Sequence, residues 1–161
     1  MILAWLVIIL FVGGLAAWLA DFVDPKLPRV VALLVLLVDG LLMLTLLNDT
    51  PFTPVGASGD WFVYLKAEWL PRFDIYFQVG IDGLSIMMVL LTVFLGVIAV
   101  GAAWDEIHDR AGFFYFNLLW TLAGVVGVFI ALDLFLFFFF WEVMLIPMYL
   151  IIAIWGHENK N

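Results

Sequence analysis

Long, unbroken apolar runs alternate along the chain with short polar breaks. Five runs reach or approach the about 20 apolar residues that cross a hydrocarbon core of about 30 Å. They are Ile2–Ala20, Val30–Leu47, Gly83–Trp104, Gly112–Ala131 and Leu134–Trp155. The breaks carry charge or turn formers: Asp21–Arg29 with Pro25 and Pro28, the long stretch Asn48–Asp82, Asp105–Ala111, the tight turn Leu132–Asp133, and the tail Gly156–Asn161. Runs this continuous predict helices, since barrel strands alternate over about ten residues. The expected fold is all-α: a polytopic transmembrane bundle of about five spans, one membrane domain over residues 1–161. Met1–Ala20 has no positively charged start and is long for a signal-peptide core, so it reads as the first span.

One stretch departs from this pattern. From Arg72 to Val79 the chain alternates strictly, with Phe73, Ile75, Phe77 and Val79 apolar and Arg72, Asp74, Tyr76 and Gln78 polar. That period of two predicts a half-buried strand on the membrane surface; an irregular loop skimming the interface is the other reading. Pro51, Pro54, Gly56 and Gly59 mark turn and coil before it. Trp61, Tyr64 and Trp69 suit the headgroup zone. Asp82-Gly83 closes the strand and places the Asp82 carboxylate to cap the third span.

Small residues recur at four-residue spacing: Ala123, Gly127 and Ala131 in the fourth span, Gly13 with Ala17 and Ala16 with Ala20 in the first. Such stripes let helices approach closely in lipid. No internal repeat is visible across the five spans.

Composition removes several function classes. Residues are 67% hydrophobic and 12% charged, with a mean hydropathy of +1.21, far from the usage of a soluble domain. With no cysteine, cysteine-ligated zinc, iron–sulfur clusters and disulfides are excluded. A net charge of −8 with six Lys+Arg makes nucleic acid an unfit partner. The breaks after spans one, three and five hold Lys26, Arg29, Arg110 and Lys160, against Lys66 and Arg72 after span two. That bias predicts an outer amino terminus and a cytoplasmic carboxyl terminus.

Glu142 is the leading candidate for chemistry. It lies about 12 Å along the fifth span from Leu134, near the bilayer midplane. An acid at that depth is costly and is by default a functional hypothesis, often a proton relay; a protonated side chain bonded to a neighbouring helix is the structural reading. Pro147, five residues on, removes one backbone bond and suits a kink beside the acid, or one without any role. Asp39 is the second acid at mid-depth. With Thr92, Thr121 and Glu142 it would form one polar tier if the helices were suitably rotated. Asp133 reads as a solvated cap of span five or part of a proton path. His108 and His157 are expected at the cytoplasmic face, as relays or as plain surface residues.

The segments "GIDGLS" (Gly80–Ser85) and "GVVGVFIALDLFLFFFFWEVMLIPMYLIIAIWGHE" (Gly124–Glu158) resemble the M-chain family of bacterial respiratory complex I, the antiporter-like membrane subunits of NADH:quinone oxidoreductase. The resemblance implies that Glu142 is the family's proton-transferring glutamate. Pro147 then matches the proline that follows it, and Asp133 matches the acid of its Leu-Asp pair. It also implies that the strand region belongs to an outer-face hairpin bracing neighbouring subunits. It assigns nothing to Asp39. It places the protein in the bacterial inner membrane beside other membrane subunits, with no cofactor of its own. NADH, FMN, iron–sulfur clusters and quinone are expected in partners. Family members have roughly fourteen helices with broken helices in inverted repeats, so this chain is expected to be an amino-terminal fragment or one piece of a split subunit. Relatives in cation/proton antiporters and membrane-bound hydrogenases, or a purely structural membrane subunit, are the alternatives.

Overall fold

A computed structural model of the chain describes residues 2–49, 63–70, 72 and 75–156. Trp61, Phe73, Asp74, His157 and Lys160, and the turn formers Pro51 to Gly59, lie outside them. Five helices form: α1 (Ile2–Ala20), α2 (Leu27–Asp49), α3 (Gly83–Ala102), α4 (Ala111–Ile130) and α5 (Leu134–Trp155). Each is long and apolar enough to cross a membrane. With no water in the hydrocarbon region to serve the peptide groups, the helical backbone bonds to itself. Phe22, Leu41, Phe94 and Ile146 are among many large apolar residues on the outside of the bundle. The outer surface is as apolar as the core, the opposite of a protein made for water.

α2 begins three residues earlier than the hydropathy pattern predicts. Pro28 stands in its first turn, where the missing N–H costs nothing, and Arg29 becomes part of the helix. α3 and α5 start where an aspartate accepts the free N–H groups of the first turn: Ser85 N–H at 2.8 Å on Asp82, and Phe135 and Leu136 N–H at 2.8 and 3.2 Å on Asp133. α4 starts from Arg110, which has φ 52° and ψ 44°, a left-handed conformation uncommon outside glycine.

The long stretch between α2 and α3 holds a hairpin, where the alternation over Arg72–Val79 predicts a single strand. β1 (Val63–Leu70) pairs antiparallel with β2 (Ile75–Ile81), Leu65 opposite Val79 and Ala67 opposite Phe77. β1 carries the same alternation over Val63–Glu68, with Tyr64, Lys66 and Glu68 as its polar positions, a signal passed over when Tyr64 and Trp69 are read only as headgroup-zone aromatics. Its apolar positions Val63, Leu65 and Ala67 face the same way as Phe77, Val79 and Ile81, as the pleat requires. The hairpin is tied to the bundle: Leu132 N–H donates to the Gln78 carbonyl at 2.9 Å, and Trp69 meets Phe135 and Phe139 edge to face.

α4 is the axis. It packs against α1, α2, α3 and α5, while α5 rests on α4 and on β2. Close approach depends on glycine. A Cβ on Gly127 would enter the Phe140 ring, one on Gly124 would lie 2.6 Å from Met144, and one on Gly14 would lie 2.8 Å from Trp120. Ala123 and Gly127 of the expected stripe and the Gly13–Ala17 pair are buried, while Ala131, its third member, is the half-buried C-cap of α4. Ala16 is exposed, so the Ala16–Ala20 pair makes no tight packing. At the end away from the hairpin, Arg29 donates to the Ile107 carbonyl at 3.0 Å and Trp155 Nε1 to the Asp109 carbonyl at 3.1 Å. These bonds bring the α1–α2 turn, the α3–α4 loop and the end of α5 to one side, so the helices run alternately up and down.

Candidate functional site

Glu142 lies mid-way along α5, as its position in the sequence requires, but it is not buried by these five helices. Phe140 and Met144 both touch α4. Glu142 sits two residues from each, so it is about 160° round the helix from both at 3.6 residues per turn. Its carboxyl therefore points away from α4. The same outward face carries Phe138, Phe139, Leu145, Ile146 and Tyr149, all exposed. An acid facing acyl chains at this depth is untenable by the cost of moving charge into hydrocarbon.

Pro147 is buried on the α4 side, about 140° round the helix from Glu142. The proline and the acid work on different faces of α5.

Asp39 is enclosed completely, and neither carboxyl oxygen has a hydrogen-bond partner among the described residues. Its neighbours along the buried side of α2 are Leu36 and Met43. α3 lies alongside at this level, since a Cβ on Gly40 would meet Val93 at 3.3 Å and one on Gly96 would meet Leu36 at 3.1 Å. The polar tier does not assemble around it. Thr92 donates to the Met88 carbonyl at 2.8 Å and Thr121 to the Asn117 carbonyl at 2.9 Å, each inside its own helix. Asp39 and Glu142 stand on helices separated by α4, and Glu142 faces outward. Depth along a helix was legible in the sequence; rotation, which decides partners, was not.

Asp133 caps α5 through the two N–H bonds above, so its carboxylate serves the helix terminus. Asp82 does the same for α3. The Ser85 N–H holds the Asp82 carboxyl below its ordinary value of 3.8, since a donated hydrogen bond favours the ionised form. Gly83 follows as the first residue of α3.

Three buried polar residues were not singled out by the pattern. Arg29 is 9% exposed. Besides its bond to Ile107, its guanidinium lies 3.3 Å from His108 Nδ1. A guanidinium only donates, so in a hydrogen bond between the two this nitrogen is the acceptor. His108 thereby joins a brace between α2 and the α3–α4 loop. Tyr115 and Asn117 of α4 are both enclosed, with the Tyr115 hydroxyl and Asn117 Oδ1 unpartnered among the described residues. Their signal was faint: polar side chains inside a span otherwise rich in Phe, Leu and Gly. Among the described residues no group of three or more metal-ligating side chains comes together.

Comparison with known proteins follows the same outline. Residues 131–161 match a family model described as NADH:quinone oxidoreductase/Mrp antiporter, transmembrane. All of the chain aligns with NADH-quinone oxidoreductase subunit M of Pseudomonas aeruginosa, 48% identical over 164 positions and covering 32% of that relative. The subunit M of Escherichia coli is 46% identical over 163 positions, again all of this chain and 32% of the relative. NAD(P)H-quinone oxidoreductase chain 4 of Gloeobacter violaceus is 36% identical over 157 positions, 97% of this chain and 29% of the relative. The chain spans about a third of the length of these curated relatives.

Proposed function

Because this chain corresponds in sequence to the amino-terminal portion of the NADH-quinone oxidoreductase subunit M family, we propose that it forms part of a proton-translocating membrane subunit of an NADH:quinone oxidoreductase. In this reading Glu142 is a proton-transfer group. The observation that carries the reading is the outward aim of Glu142 from the middle of α5, on a face that the other four helices leave open. A proton-transfer group must exchange its proton with something, and nothing among the described residues faces it. Its counterpart therefore comes from further membrane helices or a neighbouring subunit.

The chemistry is electrostatic. A cation brought against the carboxyl favours release of the proton, and withdrawal of that cation favours uptake. Movement of a charged group beside α5 would thus load and unload Glu142. The redox steps with NADH, FMN, iron–sulfur clusters and quinone belong to partner subunits in this reading, since a chain without cysteine has no thiolates for a cluster. Asp133 supports the site by fixing the start of α5, and Asp39 has no part in the transfer. The orientation follows the distribution of Lys and Arg: hairpin outside, the Arg29–His108 brace at the cytoplasmic surface of a bacterial inner membrane.

The test is Glu142→Gln in the assembled complex. NADH-driven proton movement should fall to a small fraction of the unmodified level while the complex still assembles. Unchanged proton movement would leave only a structural role for the residue. The family model's description also includes antiporters, and a cation/proton antiporter subunit is the second reading. It requires transport that depends on sodium or potassium and continues without NADH.

A further inference from the structure

α1 and α5 both pack on α4 but do not close on one another, and a cavity of about 260 Å³ remains between them at the hairpin end. Ile130 of α4 lies at its back, Phe11 of α1 and Phe140 of α5 form walls, and Phe77 and Val79 of β2 cover its end. Every lining residue is apolar. Water is excluded as an occupant, since a buried water needs two to four polar partners. An empty space of this size would forfeit dispersion contacts along all its walls. Smaller apolar cavities, of about 150 Å³, take up benzene or xenon.

Three features choose the occupant. The α1 lining runs from Ala4 to Phe11, so the space extends about 10 Å along the helix axis. It is a slot parallel to the spans, the direction in which acyl chains lie. Ile8, one of its lining residues, is 42% exposed and belongs to the apolar outer surface of the spans, so the slot is reached from the side of the bundle. β2 covers its end, so nothing enters from the water side. We propose that this slot holds an acyl chain of a phospholipid from the leaflet on the hairpin side, inserted past Ile8 with its headgroup beside the hairpin. The chain would act as a filler between α1 and α5, helping to seat α5 and β2. This goes beyond the proton-transfer reading and does not depend on it.

The experiment uses the assembled complex in nanodiscs with a phospholipid bearing a photoactivatable diazirine in its acyl chain, and maps crosslinks on this chain by mass spectrometry. Crosslinks should concentrate on Ala4–Phe11 and Phe140, above those on Leu91 and Phe94, two outward residues of α3. Ile8→Trp, at the opening, and Ala4→Phe, inside the slot, should each lower labelling of Phe140 several-fold and leave the α3 labels unchanged. Ile8→Trp alters an exposed position, so it reports even if the filled variant folds poorly. Labelling of the slot no stronger than that of α3, or unaffected by Ile8→Trp, would overturn the proposal. So would capture of another polypeptide at these residues in the assembled complex.

Discussion

Asp39 and Asp82 show how the same side chain acquires opposite significance from its surroundings. Asp39 is wholly enclosed, with both oxygens unpartnered among the described residues, and a buried polar group left unsatisfied costs about 1–3 kcal/mol. Asp39→Leu, close in volume and apolar, should therefore raise resistance to unfolding, whereas Asp39→Asn should bring no such gain. Unfolding in detergent titrated with SDS checks this, and a leucine variant that unfolds earlier would show that the acid has a partner. Asp82 lies at a helix start where its charge is useful. Removing such a cap costs about 1 kcal/mol, the loss expected for Asp82→Ala. Its folded value lies below 3.8, so its contribution is full above that value and is lost as pH falls through the lower, folded one. The gap between the unmodified and alanine proteins in thermal melts should close at acid pH. A gap that widened there would contradict the sign.

The contact between α4 and α5 is set by what is missing from α4. Gly124 and Gly127 leave room for Met144 and Phe140, and this close fit turns Glu142 to the far side. A valine at Gly127 has nowhere to go without moving the Phe140 ring. Gly127→Val should cost about 1–3 kcal/mol, the usual penalty of overpacking, and should increase proteolysis at the α4–α5 turn. Gly101 is a control in α3: a Cβ there meets nothing within 4 Å. Gly101→Ala should stabilise by about 0.5–1 kcal/mol through lost freedom of the unfolded chain. Equal effects of the two substitutions in a melting series would refute the packing account. The hairpin acts as an element in the same sense. Its inner face rests on the ends of α1, α4 and α5, and its bond to Leu132 holds the turn from which Asp133 launches α5.

At the scale of the whole molecule, α4 is enclosed by its neighbours while α5 lies at the edge with its acid turned outward. Among the described residues, Glu142 is the candidate transfer group and no counterpart faces it. The only cation in a described helix near the core, Arg29, is held at the end opposite the hairpin by Ile107 and His108. These residues reconstituted alone in liposomes should show no proton movement that a protonophore abolishes. Clear proton uptake under a potassium diffusion potential would mean that a path exists within the five helices, and Glu142 would lose its need for outside partners.

The membrane class, the five spans and their order were legible in the sequence, because transfer into hydrocarbon depends on the sum of apolar residues along a run and hardly on their arrangement. The caps at Asp82 and Asp133 were legible too, since an aspartate just before an apolar run meets a local need of the backbone. So were the depths of Asp39 and Glu142, which follow from rise per residue. Tertiary structure alone decided which way each residue faces. Apolar residues surround these helices on every side, so the amphipathic stripe that orients a helix in a soluble protein is absent. Rotation is settled instead by where glycines admit a neighbouring ring. That packing encloses Asp39, turns Glu142 outward, places Pro147 against α4 and seats the paired strands β1 and β2 on the ends of the helices.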